Sequence, residues 1–205
     1  MASAHLTGLL NFVFPAKCAL CEAIEADSPC SDCVAEMRSV GTPTFELGDL
    51  SGASAAYAYG GRAGMAVRAL KFQRCTSLVP FMAAEVARVG SGIAFDVVVP
   101  VPIHFLRWSL RGFNQSELLC EAFAADVKPS WLRRVRSTSP QVGLTAVARR
   151  ENLTDAFSAA PEVAGRRVLL VDDVVTTGST ARECARTLKR AGALSVHLVT
   201  FAAED

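Results

Sequence analysis

Two adjacent aspartates, Asp172 and Asp173, end a run of four apolar residues and begin a loop rich in hydroxyl groups. The loop reads Val174, Val175, Thr176, Thr177, Gly178, Ser179 and Thr180. Neighbouring carboxylates repel each other unless hydroxyl donors or a divalent cation lie between them. A ligand with a vicinal diol would supply those donors, so the aspartates are candidate sugar-binding groups.

A helical pattern follows this loop directly. Its apolar positions fall on one face, and Gly192 stands where a helix would stop; they are Ala181, Cys184, Ala185, Leu188 and Ala191. The first N–H groups of a helix lack intrahelical partners and attract a phosphate, which the backbone at Gly178 could approach closely. The segment therefore predicts a site for a ribose 5-phosphate at the carboxyl end of a buried strand, where open α/β sheets bind ligands.

The alternative is an ordinary strand followed by a capped helix, because Thr180 and Glu183 fit a capping box. A capping box does not account for two carboxylates at the end of a strand. The ligand-binding interpretation is therefore favoured.

Four cysteines near the amino terminus form the pattern C-x2-C-x8-C-x2-C: Cys18, Cys21, Cys30 and Cys33. Two close pairs allow four thiolates to surround one ion, and zinc takes such a set at closed structural sites. An iron–sulfur cluster, two disulfides or a redox pair are the alternatives. Disulfides are disfavoured in a reducing compartment, and no strand–helix pattern supports a thioredoxin-like motif. Structural zinc is the favoured interpretation.

Arginines are crowded in the middle of the chain: Arg107, Arg111, Arg133, Arg134, Arg136, Arg149 and Arg150. Planar guanidinium groups bind phosphate oxygens in bidentate fashion, so some of these are candidate pyrophosphate ligands. Solvated surface positions are the ordinary alternative for the others. His104 follows a Pro-x-Pro sequence at a predicted strand end, whereas His5 and His197 have no visible partner.

The composition gives no support for binding driven by net charge or for a membrane-spanning protein. The 205 residues carry 21 basic and 20 acidic side chains, so the net charge of +1 gives no bulk attraction to nucleic acid or to an anionic membrane. No apolar stretch approaches the roughly 18 residues that a membrane-spanning helix needs. Residues 9–14 are mostly apolar but lack a basic segment before them, which argues against a signal peptide. We expect a cytoplasmic protein.

The predicted elements divide the chain into residues 1–50, a cysteine-bearing module with a linker, and residues 51–205, where strands and helices alternate. Helices are predicted over residues 63–72, 78–89 and 114–125. Strands are predicted over residues 57–59, 95–99, 168–171 and 194–201. This alternation predicts an α/β fold with a parallel sheet flanked by helices on both faces.

Several motifs together resemble a known family. The string VDDVVTTGST at residues 171–180 is similar to the 5-phosphoribosyl-1-pyrophosphate (PRPP) motif of type I phosphoribosyltransferases. The segments VVVPVPIH at residues 97–104, RGFNQ at 111–115, RSTSPQ at 136–141 and REN at 150–152, with the four cysteines, resemble the ComF family. The resemblance extends from about residue 9 to residue 201.

The resemblance implies a type I phosphoribosyltransferase-like domain with an amino-terminal zinc module, PRPP as ligand and Mg²⁺ bound with it. It implies that Asp172, Asp173 and Arg111 take part in catalysis and that residues 174–180 bind PRPP. Residues 136–150 resemble the flap that covers the site in this superfamily. Possible pyrophosphate or flap contacts are Lys71, His104, Arg107, Arg136 and Arg150.

Two functions remain open at the level of sequence. The first is transfer of a phosphoribosyl group from PRPP to an unidentified base or related acceptor in nucleotide metabolism or salvage. The second is a non-catalytic role in natural competence, with which ComF proteins are associated, through binding of single-stranded DNA. Trp108 and Phe113 lie near Arg107 and Arg111, as a strand-binding groove would require, but these aromatic residues could equally belong to the core.

Overall fold

The computed structural model describes residues 16–24, 27–42, 47–136 and 155–204. The helices in these ranges are α1 (Ser31–Ala35), α2 (Gly61–Gln73), α3 (Val79–Gly90), α4 (Phe105–Arg111), α5 (Gln115–Leu119) and α6 (Ser179–Arg190). The strands are β1 (Ser39–Gly41), β2 (Gly52–Ala58), β3 (Val97–Pro100), β4 (Leu132–Arg134), β5 (Phe157–Ala159), β6 (Arg167–Val175) and β7 (Ser195–Ala203).

Five strands form the main sheet in the order β1-β2-β7-β6-β3. The pairs β2–β7, β7–β6 and β6–β3 are parallel, which confirms the predicted parallel sheet. The short β1 is antiparallel to β2 at one edge and was not predicted. Because the parallel strands share one direction, the carboxyl ends of β3 and β6 meet at the same edge of the sheet. The predicted domain boundary at residue 50 stays a prediction.

The sheet is buried on both faces because successive strand residues point to opposite sides. In β6, Leu169 and Val171 belong to one apolar cluster, which includes buried residues of α2 and α3. Val168 and Leu170 belong to a second cluster, which includes the buried face of α6. The face predicted for α6 is confirmed, since Ala181, Cys184, Ala185 and Leu188 are all buried.

Three predicted elements had boundaries that were wrong by more than two residues. The strand predicted over residues 57–59 is β2, which begins at Gly52 and ends at Ala58, because it pairs with β7 along this whole length. The strand predicted over residues 168–171 continues to Val175, because β7 is equally long and Val175 still pairs with Ala203. The helix predicted over residues 114–125 ends at Leu119 and gives way to a 3₁₀ turn, Cys120–Ala122. After this turn the chain becomes extended at Phe123, whose ring packs edge-on against Phe95.

A second, two-stranded sheet pairs β4 with β5 antiparallel. Most of the predicted flap, including Arg149 and Arg150, lies between these strands and outside the described residues. Among the helices that the structure describes, none has the length and apolar character needed to cross a membrane.

Candidate functional site

The paired aspartates lie in the second half of β6, and each has a different partner. Lys71, in the last turn of α2, places its Nζ atom 2.8 Å from Oδ1 of Asp173. Both side chains are largely buried, with 19% and 6% of their surfaces exposed. A buried carboxylate is costly unless a cation compensates it, and Lys71 supplies that cation.

Asp172 is held by two donors. The Ser116 hydroxyl of α5 donates to Oδ1 of Asp172 at 2.9 Å, and the N–H of Asp173 donates to the same oxygen at 2.9 Å. Burial and the neighbouring Asp173 carboxylate raise the pKa of Asp172 to about 7, against the opposing effects of Lys71 and Ser116. Asp172 therefore changes its charge near neutral pH, unlike an ordinary surface aspartate.

The loop after β6 presents a helix start with no side-chain cap. Gly178 occupies the N-cap position of α6 with a φ of 69°, a left-handed conformation that favours glycine. No side chain accepts a hydrogen bond as the cap, and Glu183 instead bonds to Arg186 and to the N–H of Asp155. The capping-box alternative for residues 180–183 is therefore wrong.

Hydroxyl groups surround this helix start. The Oγ1 atom of Thr177 lies 3.0 Å from Oγ of Ser179, and the Arg182 guanidinium donates to the Thr177 carbonyl at 2.9 Å. The side chains of Thr176 and Thr177 are exposed. The N–H groups of the first turn and these hydroxyls together form a set of donors suited to a phosphate.

Arg111 approaches the aspartates from α4. Its Nη1 atom donates to Oε1 of Gln115 at 3.0 Å, and its guanidinium carbon lies 5.4 Å from the centre of the Phe72 ring. Burial lowers the pKa of Arg111, whereas the charge of Asp173 raises it. The structure thus brings Arg111, Lys71 and the aspartates together, as their assignment to one site requires.

Three further basic side chains, those of His104, Arg107 and Arg134, lie close enough to influence one another. Burial lowers the pKa of His104, and Arg134 and Arg107 lower it further. Burial also lowers the pKa of Arg134, again with a contribution from Arg107. An anion bound among these groups would offset their repulsion, so they form a candidate anion site. Arg136 is exposed just after β4.

Some residues at the site were not singled out from the sequence. Asn114 caps α5 by accepting from the N–H of Ser116 at 3.2 Å, and its Nδ2 atom donates to the Val101 carbonyl at 3.1 Å. A capping signal at Asn114 was available in the sequence. Arg134 was one of several crowded arginines in the sequence, and its place on the same face of β4 as the buried Leu132 was a further usable signal. Nothing local indicated the contact between Ser116 and Asp172.

The four amino-terminal cysteines form a compact cluster. Their Sγ atoms lie within 4.8 Å of one another, including 3.8 Å between Cys18 and Cys33 and 3.6 Å between Cys21 and Cys30. All four are free thiols, so the disulfide alternative is wrong. Four sulfurs at bonds of about 2.3 Å from one tetrahedral ion are about 3.8 Å apart, so the cluster is close enough to hold a metal.

Backbone donors point at this cluster. The N–H groups of Leu20 and Cys30 each lie 3.4 Å from the sulfur of Cys18. Burial opposes ionisation of Cys18, but these N–H donors outweigh it and lower the pKa of Cys18 to about 6. The loop therefore stabilises a thiolate, which is the form that binds metals.

Comparison with known proteins agrees with this geometry. The phosphoribosyl transferase domain family matches residues 117–205, which include β6, the loop and α6. Residues 117–205 thus have the phosphoribosyltransferase fold. The "DNA utilization protein YhgH" of Salmonella typhi is 41% identical over 143 residues, which cover 64% of this chain and 63% of that protein. "Competence protein F" of Haemophilus influenzae is 42% identical over 110 residues, which cover 47% of this chain and 45% of that protein.

These relatives confirm the resemblance that the motifs indicated. The match spans less than two thirds of the Salmonella protein's length. Among solved structures, an allosteric regulatory enzyme of purine biosynthesis is 24% identical over 60% of this chain and 25% of its own, with a TM-score of 0.41. The chain therefore combines a match to the phosphoribosyl transferase domain family with similarity to proteins named for DNA utilization and competence.

Proposed function

We propose that the phosphoribosyltransferase domain binds PRPP and transfers its phosphoribosyl group to an acceptor that contains a base. The observation that carries the proposal is the meeting of the two aspartates with the uncapped start of α6 at one edge of the sheet. A diol and a phosphate on one ribose match these two features.

Each group has a role in this proposal. Asp172 and Asp173 accept hydrogen bonds from the ribose hydroxyls, and residues 176–180 donate to the 5-phosphate. Arg111, with His104, Arg107 and Arg134, binds the pyrophosphate, whose negative charge grows as the anomeric bond breaks. Positioning and electrostatic stabilisation then lower the barrier without a covalent intermediate.

Mg²⁺ fits the donor set as a companion of the ligand. It commonly binds through one or two carboxylates together with substrate phosphates, and Asp172 and Asp173 supply carboxylates beside the proposed ribose site. When bound, Mg²⁺ neutralises part of the charge of the leaving pyrophosphate.

Calorimetry with PRPP and Mg²⁺ tests the proposal, followed by assay of pyrophosphate release with a panel of purine and pyrimidine bases. We expect binding by the wild-type protein and a loss of about tenfold or more in Asp173→Asn, since one charged hydrogen-bond acceptor is removed. Asp96→Asn is the control, because Asp96 pairs with Arg167 at the opposite end of β6. Wild-type protein that does not bind PRPP overturns the proposal.

We also propose that the four cysteines hold a structural zinc ion. The sulfur spacing and the backbone N–H donors at Cys18 support it, since all four positions are occupied by protein ligands and no open position is left for catalysis.

Binding of single-stranded DNA is a second candidate function, favoured by one surface. This surface, here called the α2–α4 surface, consists of Phe72, Arg74, Phe105, Arg107, Trp108 and Leu110. Phe72, Phe105 and Trp108 are 71%, 72% and 50% exposed, so they are not core residues. The rings of Phe105 and Trp108 stack with centroids 6.4 Å apart.

The charge around this surface suits a phosphate backbone. Residues 51–84 and 97–116 contain no aspartate or glutamate, but they contain Arg74, Arg107 and four other lysines or arginines. Exposed aromatic rings interleaved with arginines are typical of single-strand binding, in which bases stack and phosphates pair with cations. The names of the relatives point to the same partner.

Fluorescence anisotropy with labelled oligonucleotides tests this second function. Trp108→Ala should weaken binding about tenfold, since stacking contributes about 1–3 kcal/mol per base. Leu110→Ala is the control, because Leu110 is also exposed on α4 but has no ring. Arg107→Ala should also reduce the slope of log affinity against log salt concentration by about one, because about one phosphate contact is lost. Equal losses in the tryptophan and leucine variants contradict a stacking surface.

A further inference from the structure

Ser116 is buried in a position that the phosphoribosyl chemistry itself does not require. It is 1% exposed and lies in the first turn of α5, and its hydroxyl donates to the Asp172 carboxylate. The two residues are 56 positions apart in the sequence, so the contact depends on the packing of α5 against β6. A fully buried serine cannot reach a ligand directly.

The position of Ser116 is itself fixed from two sides. Asn114 accepts from the N–H of Ser116 and donates to the carbonyl of Val101, just after β3. The Ser116 carbonyl accepts a hydrogen bond from the buried Cys120 thiol at 3.1 Å. The hydroxyl is therefore presented to Asp172 by a rigid turn that is tied to the neighbouring strand.

We infer that Ser116 is a positioning residue for PRPP binding: its hydroxyl fixes the orientation of the Asp172 carboxylate that accepts from the ribose hydroxyls. This inference rests on the proposed function. Lys71 holds Asp173 by an ion pair, whereas Ser116 and the Asp173 N–H hold Asp172 by hydrogen bonds.

The Ser116 hydroxyl and the Asp173 N–H both donate to Oδ1 of Asp172, so together they fix the rotation of this carboxylate. Removal of the Ser116 hydroxyl leaves one of these two donors. The carboxylate is then free to rotate away from the geometry in which it accepts from the ribose hydroxyls.

The test compares PRPP affinity in the presence of Mg²⁺ at one pH by calorimetry. Ser116→Ala should bind about tenfold more weakly than the wild-type protein, because the Asp172 carboxylate loses one of its two donors. Ser116→Thr retains a hydroxyl and should restore the affinity.

Ser91→Ala is the matched control, because its hydroxyl donates to a helix-end carbonyl, that of Arg88, away from the aspartates. A double-mutant cycle gives the second readout: in an Asp172→Ala background, Ser116→Ala should cause no further loss, because the hydroxyl acts through the carboxylate. An unchanged affinity in Ser116→Ala, or an equal loss in both backgrounds, overturns the inference. If the wild-type protein binds no PRPP, the proposed function itself fails.

Discussion

At the scale of single residues, the two aspartates of β6 have different partners. Asp173 has a lysine at 2.8 Å, whereas Asp172 has only a hydroxyl and an N–H as donors. Adjacent carboxylates cannot both be ionised cheaply unless each is compensated, and a cation compensates better than a neutral donor. Loss of the Asp172 proton should therefore raise the affinity of the site for a cation or a diol.

This asymmetry predicts a pH-dependent effect of Asp172→Asn on stability. The pKa of Asp172 is about 7 in the folded protein, above the value of about 3.9 for an unfolded aspartate, so the folded state binds more protons between these values. The stability of the wild-type protein therefore falls as pH rises from about 4 to 7. Asparagine carries no charge, so Asp172→Asn does not undergo this loss. The free energy of unfolding of Asp172→Asn minus that of the wild-type protein should be about 1–2 kcal/mol larger at pH 8 than at pH 5, after allowance for partial solvent screening.

Urea unfolding of both proteins at the two pH values measures this difference. Asp96→Asn serves as the control, because a side-chain hydrogen bond from Arg167 lowers the pKa of Asp96 to about 2. The contribution of Asp96 is complete above pH 4 and should not change between pH 5 and 8. If the stability difference between Asp172→Asn and the wild-type protein is the same at pH 5 and pH 8, the aspartate is already ionised at pH 5.

At the scale of helices and strands, periodicity predicted the parts of the site that lie within one segment. The buried face of α6 and its end before Gly192 follow from apolar spacing and a glycine stop, and Gly192 indeed has a φ of 97°. The predicted end of β6 was too early, because aspartates are uncommon in strands. In the structure the long neighbour β7 continues the pairing, with Asp172 opposite Thr200. The contacts of Lys71 and Ser116 with the aspartates join distant segments, which no local pattern encodes.

The turn between β6 and α6 predicts an effect of Gly178→Ala. The left-handed backbone at Gly178 costs about 1–2 kcal/mol for a residue with a Cβ atom, and relief of this strain would move the N–H donors of the helix start. We expect the free energy of unfolding to fall by about 1 kcal/mol and PRPP affinity to fall about tenfold. Denaturant unfolding and calorimetry measure the two effects.

Gly165→Ala separates strain from function. Gly165 has a φ of 72° with open space around its Cβ position, so alanine there is strained to a similar degree without a clash. It precedes β6, whereas Gly178 follows it, and a strand of nine residues is about 30 Å long. Similar losses of stability with a loss of affinity only in Gly178→Ala support the phosphate site. A similar loss of affinity in both variants contradicts it.

At the scale of the whole molecule, the cysteine cluster and the aspartates are connected through one apolar core. Cys18, Cys30 and Cys33 belong to the same buried cluster as Val171 of β6 and Leu70 of α2. Arg62, in the first turn of α2, donates to the Leu20 carbonyl at 3.1 Å and pairs with Glu36. Helix α2 therefore contacts the cysteine module near its beginning and carries Lys71 to Asp173 near its end.

This arrangement predicts that loss of the metal destabilises the whole domain. Cys33→Ser removes one of four ligands from a buried position, so zinc, expected at about one ion per chain, should be lost. We expect the melting temperature to fall by about 5–10 °C, in line with about 2–4 °C per kcal/mol for a chain of this size. Elemental analysis and calorimetric melting measure both effects. Cys75→Ser, outside the cluster, should retain the metal and melt like the wild-type protein. If Cys33→Ser melts at the wild-type temperature and the wild-type protein contains no zinc, the cysteines pack as ordinary thiols, and α2 owes its position to apolar contacts and to the Arg62–Glu36 pair alone.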